Sequence, residues 1–260
     1  DIKQGTSEQL HATCFDTNGA NADTEFTLYY VVRSGLTGNS QKGLAYLQDF
    51  TVTGPAELVT SSYNSTGTTN TVIRNSAGNY TVTLPGLTKA GGDVQVSEWS
   101  NLIAARCKTA GWSADTGGTT VGVLCFDTDG SGGAFGAVDE PYYLSYALAE
   151  PLAQGNGATA KAAYALANKP TLTSSYVPSA AYQYNGFGTG KLTVQRTAVG
   201  QYTVTIPGSP SFTTSTALVT AVGNNADYCN VMSWLPINVA CFAPNGSPAD
   251  SQFAVSFQAH

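Results

Sequence analysis

The chain has 260 residues, a formal net charge of −6 and 11 Lys+Arg that form no basic run. Only 11% of the residues are charged, so Ser, Thr, Asn, Gln and Gly must build the surface. This excludes the clustered Lys and Arg that nucleic-acid backbones require, and no run of about 18 apolar residues offers a membrane span.

The polar start Asp1-Ile2-Lys3-Gln4-Gly5 is not a signal peptide and fits a mature chain. Few Lys, one Met, many Thr and Tyr, and cysteines that pair by position point to a secreted, extracellular protein.

Taken in chain order, the first signal is a phrase. Cys14, Phe15, Asn18, Gly19, Ala22, Asp23 and Phe26 recur at identical spacing as Cys241, Phe242, Asn245, Gly246, Ala249, Asp250 and Phe253. A third copy starts at Cys125-Phe126-Asp127-Thr128-Asp129-Gly130 and carries an insertion before Asp139 and Tyr142. Asn18-Gly19, Asp129-Gly130 and Asn245-Gly246 are hairpin-turn dipeptides, because type I′ turns need positive φ at both central residues.

The next signal is Val72 to Gly86, which returns as Val194 to Gly208 at a constant offset of 122. Cys107 and Trp112 return at the same offset as Cys229 and Trp234. The repeat unit is therefore about 110–120 residues. We read one repeat-built β domain over residues 1–260: a partial repeat over 1–40, a full one over 41–150 and another over 151–260.

Tyr80 to Leu84, Val121 to Cys125, Ile237 to Cys241 and Phe253 to Phe257 alternate or run with β-branched and aromatic residues between Gly, Pro, Asn and Asp. That is the strand signature. Residues 147–167 are rich in Ala but broken by Pro151 and Gly155 to Gly157, so they read as a linker with one helical turn at most.

About eighteen short strands, roughly eight per full repeat, define an all-β fold. A β-propeller of about five four-stranded blades is the preferred architecture. Two tandem β-sandwich domains, with residues 1–40 crossing over to complete one of them, are the alternative.

Within each repeat the first Cys precedes a Trp by five residues and the second ends a strand. The simplest reading is two bridges, Cys107–Cys125 and Cys229–Cys241, each joining adjacent antiparallel strands with its Trp packed beside it. Loops of this size stabilise by about 3 kcal/mol each in the chain-entropy model. Cys14 is left unpaired: a free buried thiol, a link to a partner chain or to an upstream fragment removed by processing, or a sign that the two bridges are drawn wrongly.

Tests for chemistry give little. His11 and His260 are the two histidines, and no Gly-x-Ser-x-Gly elbow is present. Asp115-Thr116-Gly117 matches the aspartic-protease tripeptide once, whereas that chemistry needs two carboxylates sharing a proton. Asp127, Asp129 and Asp139 form a weak calcium candidate. The equivalent stretch at 243–247 has no acid, so the shared requirement is the turn. Asp23 and Asp250 are expected to cap the loop backbone before the next strand.

Arg74 and Arg196 recur four residues before Gly78 and Gly200, as a structural ion pair or backbone contact on one reading and as ligand contacts on the other. No cofactor or structural metal is expected. Asn64, Asn79 and Asn245 head glycosylation sequons, which matter only in a eukaryotic secretory host; Asn79 and Asn245 sit in repeat turns, where chance explains them.

Tyr63, Asn64, Trp99, Tyr184 and Asn185 join Arg74 and Arg196 as candidate ligand contacts. Flat aromatic faces beside amides are what sugar recognition uses, although Tyr is also simply a good strand residue.

Arg106-Cys107…Trp112, Val123-Leu124-Cys125-Phe126 and Gly200-x-Tyr202-Thr203-Val204-x-x-Pro207-Gly208 resemble the repeats of uncharacterised secreted bacterial β-repeat proteins. The resemblance covers most of the chain from residue 40 and implies no catalytic residue.

The first functional expectation is a lectin-like recognition module binding a glycan or cell-surface polymer, one pocket per repeat. The second is an extracellular protein-binding or structural adhesion component, tethered through Cys14. The third, and least favoured, is a hydrolase using Asp127, Asp139 and Glu140.

Overall fold

Period-two alternation writes the strands of this chain. In Asn79–Pro85, Tyr80, Val82 and Leu84 are buried while Thr81 and Thr83 between them are not. Gln201–Thr205 does the same with Tyr202 and Val204. Successive side chains of an extended backbone face opposite ways, so one face of each strand is a core face.

The computed structural model describes residues 10–30, 42–47, 57–58, 62–99, 104–128, 135–151, 161–209, 215–234 and 236–259. Seventeen strands are found among them. The first nine are β1 (Lys42–Leu47), β2 (Glu57–Leu58), β3 (Tyr63–Asn64), β4 (Thr71–Ser76), β5 (Asn79–Pro85), β6 (Asp93–Glu98), β7 (Ala105–Ala114), β8 (Gly118–Asp127) and β9 (Tyr142–Ala147). The other eight are β10 (Lys161–Ala167), β11 (Gln183–Asn185), β12 (Thr193–Ala198), β13 (Gln201–Thr205), β14 (Ser215–Val222), β15 (Tyr228–Trp234), β16 (Ile237–Phe242) and β17 (Gln252–Ala259). A single 3-10 turn, Ala180–Tyr182, is the helical piece among the described residues.

The fold is all-β, and the repeat is visible in its sheet orders. One four-stranded sheet runs β3-β1-β9-β6, another runs β12-β13-β16-β15, and a nine-stranded sheet runs β11-β10-β17-β14-β7-β8-β5-β4-β2. The nine-stranded sheet is composite. Its β11-β10-β17-β14 part repeats the order β3-β1-β9-β6, and its β7-β8-β5-β4 part repeats β15-β16-β13-β12. One parallel contact joins the two parts, Val222 beside Thr109. The sheet curls like half a barrel and does not close.

Each repeat therefore stacks one layer on another over its own core. The first core takes Val72, Tyr80 and Val82 from one layer and Val94, Tyr142 and Leu144 from the other. The second takes Val194, Tyr202 and Val204 against Ala163, Phe253 and Val255.

The five-bladed propeller is not what the described strands form. A blade pairs strands that follow one another in sequence. Here the first and last strands of each repeat are neighbours, β1 with β9 and β10 with β17.

The reading of 147–167 as a linker also fails over its second half. Lys161–Ala167 is a central strand between β11 and β17, with Ala162, Ala163, Ala165 and Ala167 buried. Alanine is a poor strand former in isolation, but its small side chain suits a strand covered on both faces. Residues 152–160 lie outside the described residues.

The two repeats meet back to back. The faces of β6 and β9 that turn away from the first core carry Asp93, Gln95 and Ser145. The faces of β14 and β17 that turn away from the second carry Leu218, Thr220, Ser256 and Gln258. Thr220 Oγ1 bonds Gln95 Oε1 at 3.0 Å and accepts the Val96 N–H at 3.0 Å. A cavity of about 10 Å³ is enclosed along this seam.

Candidate functional site

The residues that recur most strictly converge on a clasp, built twice. In the first repeat, the β4–β5 hairpin presents Arg74, Gly78 and Tyr80 to Asp139, which lies just ahead of β9. Arg74 donates from Nε to Oδ1 at 2.9 Å and from Nη2 to Oδ2 at 2.5 Å. The Gly78 N–H and the Tyr80 hydroxyl donate to Oδ1 at 2.9 and 2.7 Å.

In the second repeat, Arg196 donates to both oxygens of Asp250 at 2.9 Å, with the Gly200 N–H at 2.8 Å and the Tyr202 hydroxyl at 3.1 Å. The paired fork of guanidinium and carboxylate fixes the strand's position as well as its charge.

Backbone shape explains why glycine recurs in the clasp. Gly78 and Gly200 have φ of +61° and +67°. A Cβ on them would lie 2.5 Å from the Cys125 carbonyl oxygen and 2.4 Å from that of Cys241. Only glycine lets the hairpin close on the cysteine strand this tightly.

Electrostatics follow the geometry. Burial opposes the Asp139 charge, but Arg74, Tyr80 and the Gly78 N–H outweigh it and hold the carboxyl below its usual range. Arg196 does the same for Asp250, helped by Gly200 and Tyr202 against a burial penalty. Burial and the neighbouring carboxylate push the Tyr80 and Tyr202 hydroxyls up. Each clasp tyrosine packs on the first aromatic of the closing strand: Tyr80 on Tyr142 at 5.4 Å and Tyr202 on Phe253 at 5.1 Å.

Of the two readings for Arg74 and Arg196, the geometry shows the ion pair. The expected local cap is corrected for Asp250, because its carboxylate holds the neighbouring hairpin and not its own loop.

The other candidate residues fall into separate clusters. Asn64 is buried, with Nδ2 donating to Asn70 Oδ1 and Pro85 O at 2.9 and 3.0 Å, and Oδ1 accepting from the Thr66 N–H and hydroxyl. Asn185, its counterpart, donates to Gly190 O and Pro207 O at 2.7 and 2.9 Å and accepts the Phe187 N–H. Both amides thus hold the Pro-Gly turns. Tyr63 is half-buried beside Asn64, and its carbonyl accepts from Asn70 Nδ2 at 3.0 Å. Tyr184 packs on Tyr164 with ring centroids 5.8 Å apart.

Trp99 stands edge-on to Tyr143 with centroids 6.4 Å apart, and Tyr143 is 39% exposed. Trp99 itself is half-buried, as Tyr63 and Tyr184 are, and it is the exposed neighbour Tyr143 that gives this pair an outward aromatic surface.

Both disulfides form as the repeat implied. Cys107 faces Cys125 and Cys229 faces Cys241 in register, with Cα–Cα distances of 4.1 and 4.0 Å. The two tryptophans differ. Trp112 packs on the core containing Cys107 and donates from Nε1 to Gly91 O at 2.8 Å, whereas Trp234 is 37% exposed. Cys14 is a free thiol among the described residues.

The alternative chemistries find no assembled site among the described residues. Asp115 Oδ1 accepts the Gly117 and Gly118 N–H groups as a turn residue. His11 is exposed. Asp139, needed both for calcium and for a hydrolase, is held in the clasp, while Asp129 and His260 lie outside the described residues. Glu140 is buried, and Asp127 Oδ1 is buried without a hydrogen-bond partner among the described residues. Among the described residues no cluster of His, Cys, Asp or Glu has the makings of a metal site, and no helix is long and apolar enough to cross a membrane.

Sequence reasoning missed the seam. Burial pushes the Asp93 carboxyl up to about 7, with the Gln95 amide opposing from 3.0 Å. Lys108, lowered by burial to about 8, donates to Asn225 O at 2.9 Å and Oδ1 at 3.1 Å, across the join between repeats. The Arg106 guanidinium lies over the Tyr228 ring, 3.6 Å from its centroid. The available signal was Asp93 and Gln95 alternating with Val94 and Val96, a polar face that burial covers up to Gln95 and leaves open at Ser97.

Comparison with known proteins gives no matching family, no matching characterised protein and no matching solved structure.

Proposed function

We propose that the chain is a structural, protein-binding component of an extracellular surface, built as two tandem β-sandwiches. The observation that carries this reading is the double clasp. The charged and amide side chains that looked like equivalent ligand pockets are bonded to the protein itself in both repeats. The two disulfides and the scarcity of charged side chains support a secreted location.

A second reading keeps glycan binding but narrows it to one place, the Trp99–Tyr143 pair. An edge-on aromatic pair at the ends of β6 and β9 suits stacking on a sugar face.

One experiment separates the two. Labelled chain is bound to envelopes of the source cell that have been treated with protease or with periodate. Loss of binding after protease alone supports the protein-binding reading. Loss after periodate, reproduced by a Trp99→Ala/Tyr143→Ala variant, replaces it with the glycan reading.

A further inference from the structure

Residues 10–30 carry the same closing phrase as the two repeats, and they fold the same way. Ala22 N–H bonds Cys14 O at 2.9 Å, as Val138 bonds Cys125 at 3.1 Å and Ala249 bonds Cys241 at 3.0 Å. Isolated bridges Phe15–Asn21, Phe126–Ala137 and Phe242–Pro248 mark the same turn three times. The next residue is the clasp aspartate in every copy: Asp23, Asp139 and Asp250.

The segment that follows, residues 23–30, is not part of a sheet, but it lies where its counterparts do. Counting six residues past each aspartate gives Tyr29, Ser145 and Ser256, and all three line the small cavity of the seam. Thr27 Oγ1 donates to Ala217 O at 2.8 Å, which fixes the same face against the body.

The opposite face is where the copies part. Tyr142, Leu144 and Tyr146 are buried in the first core, and Phe253, Val255 and Phe257 in the second. Their counterparts Phe26, Leu28 and Tyr30 are exposed by 60%, 55% and 42%. Asp23 is exposed and has no ion pair or hydrogen bond among the described residues, and the Cys14 thiol is free.

We infer that residues 10–30 are the closing strand of a third two-layered unit, and that the exposed face of Phe26, Leu28 and Tyr30 docks a further repeat body. That body supplies an Arg-x-x-x-Gly-x-Tyr hairpin for Asp23, a core for the three apolar side chains and a cysteine for Cys14. An intact second copy is a poor fit, because both of its hairpins already hold Asp139 and Asp250. The mode is strand addition, with backbone and side-chain pockets together selecting the partner. This inference deepens the protein-binding reading and rests on it.

The test uses the full chain as donor and, as acceptor probe, residues 161–240 of the same sequence. The probe keeps Arg196, Gly200, Tyr202 and Cys229 but lacks its own closing phrase. The two are refolded together in a glutathione redox buffer and analysed by sedimentation and peptide mapping. The expected result is a one-to-one complex with Cys14 bonded to the probe's Cys229, weakened by Asp23→Ala and abolished by Phe26→Asp. A synthetic peptide of residues 241–259 serves as the control closing strand.

Capture of the probe by the peptide but not by the full chain overturns the inference, as does Cys14-linked dimerisation of the full chain alone. If neither captures the probe, thermal melting of a Phe26→Ser/Leu28→Ser full chain decides. A shift under about 2 °C agrees with a face open to solvent, and a larger fall shows the segment packed on its own chain. Envelope binding and probe capture are separate readouts, so failure of the broader reading is distinguishable from failure of this one.

Discussion

Asp93→Asn tests whether the seam holds a carboxyl that folding prefers neutral. Asp93 is 7% exposed on β6 and turned from the first core toward the second repeat. Its carboxyl titrates near 7 in the fold against 3.8 when free, so between those values the folded chain binds more protons than the unfolded one. Stability from this group is therefore full below about pH 4, falls as pH rises through the window and is lost above about 7.

A rise of this size corresponds to a cost of about 4 kcal/mol at pH 8. Asparagine keeps the shape and an oxygen for the Gln95 amide, and it does not ionise. The variant and parent should therefore unfold alike at pH 4, while at pH 8 the variant should melt higher by roughly 8 °C for a chain of this size. Urea denaturation followed by tryptophan fluorescence at pH 4, 6 and 8 measures the difference, and carboxyl NMR reads the titration directly. A difference that does not change with pH, or an Asp93 midpoint near 4, would falsify the reasoning.

Other outcomes follow from the clasps and bridges. Asp250→Ala should cost about 1–2 kcal/mol after screening by solvent, and should speed amide exchange in β17 more than in β9. Because Asp139 and Asp250 titrate below their usual range, their contribution is present above about pH 4 and should fade as pH falls further, opposite in sign to Asp93. Gly200→Ala should destabilise by about 3 kcal/mol through strain and its clash with Cys241 O, whereas Gly67→Ala, at φ +78° with nothing within 4 Å, should cost only about 1 kcal/mol; paired melts compare them. Trp112→Phe should cost about 1 kcal/mol for the lost Gly91 bond, read by denaturation followed through tyrosine fluorescence.

Much of the strand pattern was legible because one face of each strand is apolar. Tyr80 to Leu84 and Phe253 to Phe257 announce themselves by alternation; the constant offset relates Cys107 to Cys229, and the recurring Cys-Phe phrase relates their partners Cys125 and Cys241. Layer order was not legible. Nothing local tells that β9 lies beside β1, about 100 residues earlier, or that a single contact at Val222 and Thr109 fuses two sheets. β10 was hidden for a different reason: its alanines answer to neighbours on both faces and not to intrinsic preference.

The site was half legible. Recurrence marked Arg74 and Arg196, but their partners Asp139 and Asp250 lie 65 and 54 residues away. Asn64 and Asn185 looked like sugar-binding amides because composition cannot distinguish an amide facing solvent from one holding a turn.

The pairing of first strand with last also sets an order of events. Lys42 lies opposite Ala147, and Lys161 opposite Ala259, so each repeat closes a loop of about 100 residues before its edge-to-edge sheet exists. Closing such a loop costs about 4 kcal/mol of chain entropy. The local hairpins β4–β5 and β12–β13 form without that cost, carrying Arg74 and Arg196 ready on their surface. During synthesis each repeat thus waits, half assembled and with its apolar layer uncovered, until its final strand arrives. The clasp is the latch that ends the wait, and a nascent chain of this kind needs shelter for as long as its last strand is still to come.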